Sequence, residues 1–574
     1  MDLRYTNERN VQIVIYLLKA HGIKKIIVSP GATNVTFVGS IQHDPWFEIH
    51  SCVDERSAAY MACGMAEQSK EVVVLSCTGA TSSRNYMPGL TEAYYRKLPI
   101  LVITSTMNVS AVGNLRPQAT DRSNPPSDVV KKSFLINPVH GDESYCSRLV
   151  NEAILELRRK EEGPVHINLV TEFSRDFSVQ TISATRVIRR YFYGDQLPKL
   201  NSQIIGIFVG SHHLFSLEET EIIDKFCAKY NAVVFCDQTS NYFGKYRIQY
   251  ALVASQEQKI EEKLKLDLLI DIGEISGDYY YSRSKLVLNE VWRINSDGEI
   301  RERFGKVTNV FEMTESQFFS YYIKSTSNET KNSFYTELKQ KCDNTFSKIS
   351  DIPFSNIWIA SQLYNKLPNN SILYLSIFNS LRSWNFFEIP NQIPTYSNVG
   401  GFGIDGMMSS LVGASLTDPT KIFLGIVGDL NFFYDLNVIG NREVGNNVRI
   451  LIINNGRGQE FRNYNHDAMV LGGEQVDKYV AAAGHNGNQS RNLVKSIAQS
   501  LGYSYYSAQS KEEFLNIYQS FVSPDMKDRP IIFEIFTDTN EESEALRIIR
   551  NIDVDMTHNL KVQVKSTIKK FIGK

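Results

Sequence analysis

Short continuous runs of apolar, largely β-branched residues recur along the whole chain, and amphipathic segments separate them. VVVLSC, ILVITS and KIFLGIVG are three of these runs. Such runs predict strands that are buried on both faces, because helices between them cover both sides of a parallel sheet. The pattern appears in three successive series. We therefore predict an α/β fold of three doubly wound parallel-sheet domains.

The length of the chain supports this division, since 574 residues exceed what one hydrophobic core normally serves. The strand series and the polar stretches between them predict domains at 1–180, 190–345 and 350–545. A helical C-terminal extension is expected over 546–574.

Charge and cysteine content exclude some classes of partner and favour one compartment. A net charge of −2 gives no electrostatic reason to expect nucleic acid or an anionic membrane as partner. The seven cysteines show no CxxC pattern, which is typical of free thiols in a reducing compartment. The sequence has no apolar leader at its start and no apolar run long enough to span a bilayer. We expect a cytoplasmic protein.

Two polar sequences follow neighbouring strands of the third series. KIFLGIVG is followed by Asp429, and VRILIIN by Asn455. Because the carboxyl ends of parallel strands meet at one edge of a sheet, we expect these side chains to lie close together. Carboxylate and amide oxygens suit Mg²⁺, Mn²⁺ or Ca²⁺. The helix predicted after Asp429 would direct its N-terminus to the same place and favour an anion.

Each half of this pair has a structural alternative. Asp429 is also a suitable helix cap, and Asn454-Asn455-Gly456 is also a suitable turn. The two together, one helix-plus-strand unit apart, are more specific than either alone.

The same segments resemble a known family. GIVGDLNFFYDLN and ILIINNGRGQEF are similar to the diphosphate-binding motif of thiamine-diphosphate-dependent enzymes of the pyruvate decarboxylase and acetolactate synthase superfamily. SNVGGFGIDGMMSSLVGAS more closely resembles the menaquinone-pathway synthases that join 2-oxoglutarate to isochorismate, which also carry Leu after Gly-Asp. The similarity continues through SPGATN, CTGATSSRNYMPGL and VWRINSDGEIRERFG. The resemblance implies pyrimidine-binding, middle and diphosphate-binding domains in that order.

The resemblance also implies a set of cofactor contacts. The metal ligands would be the carboxylate of Asp429, the side-chain oxygen of Asn455 and the backbone carbonyl of Arg457. Ile404 would hold thiamine diphosphate in a bent shape. The remaining expected cofactor contacts are Thr78, Ser380, Gly403, Gly428 and Leu430. FAD is not expected, since the middle domain has no Gly-rich dinucleotide fingerprint.

Two residues of the first domain are the expected catalytic groups. Glu55, in HSCVDERSAAYMACGMA, falls on the family's activating glutamate, which bonds to the pyrimidine ring. By itself a carboxylate at this place is more often a charge at a helix start. Gln118 matches the family's active-site glutamine. In the family, the glutamate and the metal site come from different subunits, so the resemblance implies a homodimer or homotetramer.

The sequence departs from the menaquinone-pathway synthases where those enzymes bind substrate carboxylates. Arginine is the natural residue for that task. Non-arginine residues stand at the matching positions: Thr33, Asn108 or a neighbour, Trp384 and Val399. The residues expected to contact substrate are Thr33, Asn34, Trp384, Glu460 and Phe461. Arg382, Arg457 and Arg462 are either another anion site or ordinary surface arginines.

Three functions remain open at this point. The first is a carboligase that decarboxylates a small 2-oxo acid and transfers the acyl carbanion to an aldehyde, ketone or keto-sugar. The second is a simple 2-oxo acid decarboxylase. The third is a cofactor-binding homologue without turnover. The menaquinone-pathway reaction is not expected, because the matching arginines are missing.

Overall fold

The computed structural model describes residues 4–107, 109–257, 263–278, 286–324, 332–390, 392–485 and 490–552. By compactness the chain divides into two units. The first unit is Met1–Leu197 with Trp292–Met313, and the second unit is Pro198–Val291 with Thr314–Lys574. The domain bounds 1–180, 190–345 and 350–545 stay a prediction. Within the described residues, no helix has both the length and the apolarity that crossing a membrane requires.

The first sheet is wholly parallel and has the strand order β2-β1-β3-β4-β6-β5. Its strands are β1 (Lys25–Val28), β2 (Glu48–Ser51), β3 (Val73–Thr78), β4 (Ile100–Thr106), β5 (Ser133–Ile136) and β6 (Val165–Val170). The helices are α1 (Arg9–Ala20), α2 (Val35–Ile41), α3 (Glu55–Ser69), α4 (Ala80–Asn85), α5 (Met87–Tyr95) and α6 (Ser144–Glu156). Two buried apolar clusters cover the central strands.

Small residues allow α3 and α5 to pack closely on this sheet. Asp54 caps α3 by accepting hydrogen bonds from the backbone of Arg56 and Ser57. Ala59 of α3 lies against Gly89 of α5, where an added Cβ would overlap the alanine. The close approach fixes the position of the first turn of α3, which carries Glu55.

The second sheet has the order β10-β9-β8-β11-β12-β13-β7. Its strands are β7 (Arg189–Phe192), β8 (Ile205–Val209), β9 (Ala232–Cys236), β10 (Arg247–Ile248), β11 (Leu264–Ile272), β12 (Leu286–Asn295) and β13 (Val307–Glu312). The helices are α7 (Leu217–Tyr230), α8 (Ala251–Ser255), α9 (Glu315–Lys324) and α10 (Ser333–Phe346). Strand β8 pairs in parallel with β9 and β11.

The third sheet is again wholly parallel, with the order β15-β14-β16-β17-β19-β18. Its strands are β14 (Ser371–Leu375), β15 (Thr395–Tyr396), β16 (Ile422–Gly428), β17 (Val448–Asn454), β18 (Ser504–Ala508) and β19 (Ile531–Phe536). The helices are α11 (Asn356–Leu363), α12 (Asn379–Trp384), α13 (Met407–Ser415), α14 (Asp429–Tyr434), α15 (Gly473–Tyr479), α16 (Leu493–Ser500), α17 (Lys511–Val522) and α18 (Thr539–Ile549).

The first and third sheets thus share one topology, and the predicted fold class of three parallel-sheet α/β domains is confirmed. The helix predicted after Asp429 is shorter than expected: α14 ends at Tyr434 and a 3₁₀ turn follows over Leu436–Gly440. The expected C-terminal extension begins within α18, and residues 553–574 lie outside the described part of the chain.

A buried histidine links three strands of the first sheet. His166 on β6 bonds through Nε2 to Thr104 Oγ1 and through Nδ1 to Ser133 Oγ, both at 2.8 Å. Burial lowers the pKa of His166 to about 3, and the positive charge of Arg122 acts in the same direction. The fold therefore holds the neutral imidazole, while the unfolded chain takes up a proton near pH 6.5.

This shift predicts a pH dependence of stability. The contribution of His166 is fully present above about pH 6.5 and is lost as the pH falls towards 3. At pH 5 the loss from this group is about 2 kcal/mol. Native-state hydrogen exchange of the β4 and β6 amides at pH 7.5 and at pH 5 measures this loss of stability locally. His166→Gln keeps a donor and an acceptor. Between the two pH values its stability should fall by about 2 kcal/mol less than that of wild type. Equal losses in both proteins would contradict the assignment.

Candidate active site

The carboxyl edge of the third sheet brings Asp429 and Asn455 together. Strand β16 pairs with β17 so that Gly428 is opposite Ile453. The next residue along β16, Asp429, accepts hydrogen bonds from the backbone N–H groups of Leu430 and Gly456. Strands β14 and β16 are neighbours in the sheet. After β14 the chain continues to β15 at one edge of the sheet, and after β16 it continues to β17 in the direction of the other edge. Ligands of open α/β sheets bind at such a point.

Asn455 presents an unsatisfied oxygen beside the buried carboxylate of Asp429. Asp429 is 5% exposed, and burial raises its pKa to about 7. The Oδ1 atom of Asn455 is buried and has no hydrogen-bond partner among the described residues. Buried polar atoms are nearly always paired, so an unpaired one indicates a missing ligand. A divalent cation would bind both oxygens and offset the cost of the buried carboxylate. The residues present therefore fit the expected metal.

The neighbouring Asn454 has a different role. Its amide donates to Glu534 on β19 at 2.7 Å, and Tyr505 donates to the other oxygen of the same carboxylate at 2.7 Å. Burial raises the pKa of Glu534. Asn454 thus ties β17 to β19, whereas Asn455 stays available to a ligand.

Asn431 is a further candidate for a phosphate contact, which the sequence motifs do not single out. It is 4% exposed, and neither its Oδ1 nor its Nδ2 atom has a hydrogen-bond partner among the described residues. It lies two residues after Asp429 in α14. The signal was available in the sequence, because an amide inside the first turn after the metal ligand is a suitable contact for a phosphate.

The other expected cofactor residues of the third sheet lie close to its carboxyl edge in the chain. Gly428 ends β16, and Leu430 is half-buried in α14. Ile404 is partly buried and packs on the hydrophobic core of this sheet, directly after Gly403. Ser380 is buried in α12 and accepts a hydrogen bond from Asn356 Nδ2 at 3.3 Å. Their contacts with a cofactor stay a prediction.

A cavity of about 350 Å³ opens beside α12. Its lining includes Asn379, Arg382, Glu460 and Glu542. Arg382 donates to the carboxylate of Glu460, so these two form an ion pair in the wall. Phe461, half-buried, follows Glu460 and stands edge-on to His466. Glu460 is therefore a paired carboxylate in a cavity, not one on an open surface.

The three arginines that the sequence offered as another anion site all bind protein carboxylates. Arg457 and Arg462 each donate to Asp477 Oδ2 at 2.6 Å. Arg382 is held by Glu460. An anion entering here would have to compete with these partners.

Two of the residues that stand where the menaquinone-pathway synthases have arginine lie inside the core. Trp384 is 0% exposed and Val399 is 4% exposed, and both belong to the apolar cluster of the third sheet. The structure therefore does not bring Trp384 to the cavity wall, and its predicted contact with substrate stays a prediction. Asn108 lies outside the described residues.

Glu55 begins α3 in the first sheet. Its Oε2 atom accepts a hydrogen bond from Asn85 Nδ2 at 3.1 Å, which orients the carboxylate. The side chain is partly exposed. Three apolar residues near it in the chain are exposed at 44–76%: Val53, Tyr60 and Met61. Exposed apolar residues therefore accompany the exposed polar residues Asp54, Arg56 and Ser57 next to this acid in the chain.

A second cavity, of about 180 Å³, is lined by two of the other expected residues of the first domain. Thr33 and Gln118 both line it, although 85 positions separate them in the chain. Asn34 does not line it: its Oδ1 accepts from Ser76 and Ser105, which joins β3 to β4. Thr78, at the end of β3, bonds to Ser82 Oγ at 3.1 Å. The polar stretch around Gln118 thus forms a wall of this cavity.

Comparisons with known proteins agree with this geometry. The family model described as thiamine pyrophosphate enzyme, N-terminal TPP binding domain, matches residues 9–125, which include Glu55 and Gln118. The 2-succinyl-5-enolpyruvyl-6-hydroxy-3-cyclohexene-1-carboxylate synthase of Bacteroides thetaiotaomicron is 29% identical, covering 97% of this chain and 100% of the relative. Synthases of the same name from Bacteroides fragilis and Porphyromonas gingivalis are 28% and 25% identical. They cover 97% and 95% of this chain, and 100% and 97% of their own lengths.

The similarity thus extends over nearly the full length of the chain and of its relatives. Thiamine diphosphate with a divalent metal is the cofactor of this enzyme. That Asp429 and Asn455 hold the metal stays a prediction, which the unpartnered oxygen of Asn455 supports. The chain is a thiamine-diphosphate-dependent enzyme that is similar to these synthases over nearly its whole length.

Proposed function

We propose that the protein is a carboligase that removes CO₂ from a small 2-oxo acid and transfers the remaining acyl group to an aldehyde, ketone or keto-sugar. The observation that carries the proposal is the buried Asp429 carboxylate beside the unpartnered oxygen of Asn455. When bound, thiamine diphosphate supplies a carbon nucleophile that also accepts the electrons released with CO₂.

The residues of the chain would divide the work as follows. Asp429, Asn455 and the carbonyl of Arg457 would hold the metal. Glu55 would hold a proton at the pyrimidine nitrogen of the bound cofactor, and its bond from Asn85 fixes the direction of the carboxylate. Gln118 and Thr33 lie in one cavity wall, where they can orient a polar substrate.

The substrate of the named relatives is not carried over to this chain. Those enzymes are named as synthases of a product with succinyl and carboxylate groups. Here Trp384 and Val399 are buried in the core, and Arg382, Arg457 and Arg462 bind protein carboxylates. A pocket with fewer available cations favours a smaller acid and a neutral acceptor. The keto-sugar acceptor is an analogy with other members of the superfamily.

Simple decarboxylation is the second candidate, with a proton in place of the acceptor. Glu460 lines the cavity as a suitable acid. Its carboxylate is already bound by Arg382, however, which favours the carboligase. A non-catalytic role is opposed by the presence of Glu55, Asp429 and Asn455 together.

We also propose that the protein self-associates as a homodimer or homotetramer in the cytoplasm. The exposed Val53, Tyr60 and Met61 near Glu55 form an apolar surface of the kind that a second subunit covers. All seven cysteines lie in the described residues and are free, as expected in a reducing compartment.

The first test is CO₂ release from a panel of 2-oxo acids with thiamine diphosphate and Mg²⁺, with and without carbonyl acceptors. Release that requires an acceptor is expected. Glu55→Gln should lower the rate by at least about 100-fold, because the amide cannot hold the proton. Asp54→Asn, at the neighbouring helix cap, is the control for folding. Absence of CO₂ from every donor would support the non-catalytic alternative, and release without acceptor would select the decarboxylase.

The second test concerns the metal. Asn455→Ala should raise the Mg²⁺ concentration needed for thiamine diphosphate binding by about 10–100-fold, since even outer ligand partners have effects of this size. Calorimetric titration at fixed cofactor concentration measures it. Asn446→Ala, an exposed amide before β17, should bind as wild type does. An Asn455→Ala protein with unchanged Mg²⁺ dependence would remove Asn455 from the metal site.

The third test addresses the acceptor. Incubation with 2-oxoglutarate, isochorismate, thiamine diphosphate and Mg²⁺ should give no coupled product by mass spectrometry, because other residues stand at the relatives' arginine positions and Arg382, Arg457 and Arg462 are already paired. The synthase of Bacteroides thetaiotaomicron serves as the positive control. Formation of the coupled product would show that the relatives' reaction applies to this chain.

A further inference from the structure

Arg122 is a half-buried cation in the first unit, and two of its donor atoms are buried and unsatisfied. Its Nη2 atom donates to Asn168 Oδ1 at 2.6 Å. Its Nε and Nη1 atoms are buried and have no hydrogen-bond partner among the described residues. Within the same residues, no carboxylate oxygen lies within ion-pair distance of the guanidinium. Burial lowers the pKa of Arg122, the direction that loss of water imposes on a cation.

This arrangement is costly unless a ligand completes it. Leaving a buried charged donor unpaired costs more than the typical hydrogen bond contributes. The arginines of the third sheet show the usual solution, since Arg382, Arg457 and Arg462 each bind a carboxylate of the protein. Arg122 instead binds a neutral amide, that of Asn168.

The guanidinium forms part of the wall of the 180 Å³ cavity that also contains Thr33 and Gln118. Because one water occupies about 30 Å³ of liquid, the space suits a small organic acid. The guanidinium lies directly over Gly79 at the start of α4, where a Cβ would overlap Arg122 Nη1 and displace it.

One cation and one carboxylate line the cavity, Arg122 and Asp121. The carboxylate of Asp121 accepts hydrogen bonds from the backbone N–H and the hydroxyl of Ser123. Arg84 adds a second positive charge that acts on Asp121 and Arg122. Burial and the charge of Arg122 lower the pKa of His166 to about 3, so His166 adds no positive charge. Arg122 is thus the cation that a ligand in this cavity meets.

We propose that Arg122 binds a carboxylate of the substrate in the cavity lined by Thr33, Gln118 and Asn168. The proposal rests on the proposed function in one respect, namely that the ligand is a substrate acid. The carboxylate belongs either to the 2-oxo acid or to an acidic acceptor, and the chemistry of recognition is the same. In this way one guanidinium in the first unit replaces part of the arginine set missing at Thr33, Trp384 and Val399.

Binding without turnover is the first test, on the full chain without cofactor or metal. Ligand-observed NMR, which detects weak binding, compares pyruvate with the neutral pyruvamide. Wild type should bind pyruvate, and pyruvamide at least about tenfold more weakly. Arg122→Gln should lose about 10–100-fold in pyruvate affinity, and Arg122→Lys should lose less, because it keeps the charge. Arg116→Gln removes an exposed arginine of the same loop and should bind as wild type does.

Equal affinity of wild type and Arg122→Gln for pyruvate, or equal affinity of wild type for pyruvate and pyruvamide, would overturn the proposal. So would the absence of pyruvate binding to wild type. If circular dichroism shows that Arg122→Gln is not folded, the pyruvate affinity of Arg122→Lys and the comparison of pyruvate with pyruvamide still test the proposal.

Steady-state kinetics of the holoenzyme then identifies the source of the carboxylate. A rise in KM for the 2-oxo acid alone assigns it to the donor, and a rise in KM for an acidic acceptor alone assigns it to the acceptor. A fall in kcat with both KM values unchanged would contradict a binding role. A wild-type protein that shows no turnover would end the proposed function, whereas the NMR titration would still test Arg122.

Discussion

Parallel strand pairing between β16 and β17 is the constraint on which the metal site depends. It places Asp429 and Asn455 at one point of the sheet edge, with Gly428 opposite Ile453. The result is a buried carboxylate whose charge the protein alone does not balance, beside amide oxygens of Asn455 and Asn431 that have no partner in the described chain. Cofactor binding and stability of the third sheet are therefore linked, because a ligand that binds the folded state stabilises it.

Much of this site is predictable from sequence, since the information is local. A strand that ends in Gly-Asp, a connecting segment and a strand that ends before Asn455 fix both side chains once the sheet is parallel. Glu55 is predictable for a similar reason, as the first residue of a helix rich in small residues. The length of the helix between β16 and β17 is less predictable: α14 ends at Tyr434, whereas the sequence pattern predicts a longer helix.

The surroundings of the other candidate residues cannot be predicted from sequence, because they depend on contacts between segments that are distant in the chain. The sequence predicts that Trp384 contacts substrate, and this contact stays a prediction; the structure shows that its indole lies in the core, where α12 packs on the sheet. Arg457 and Arg462 were open as anion ligands, and only the fold shows that both bind Asp477. Arg122 gave no signal in the sequence. A guanidinium without a carboxylate is recognised only when its whole surroundings are known.

The shared strand order of the first and third sheets gives the chain two crevices of opposite polarity at equivalent places. After the third strand in each sheet's order comes a short helix, α14 beginning with the proposed metal ligand Asp429 and α4 lying under Arg122. One crevice attracts a cation and the other an anion. The parts that set the anionic ligand, in the loop around Gln118 and Arg122, are separate in sequence from those that set the metal. Exchange of that loop could therefore change which acid the enzyme selects while the cofactor machinery persists, which is a route for this scaffold to acquire new substrates.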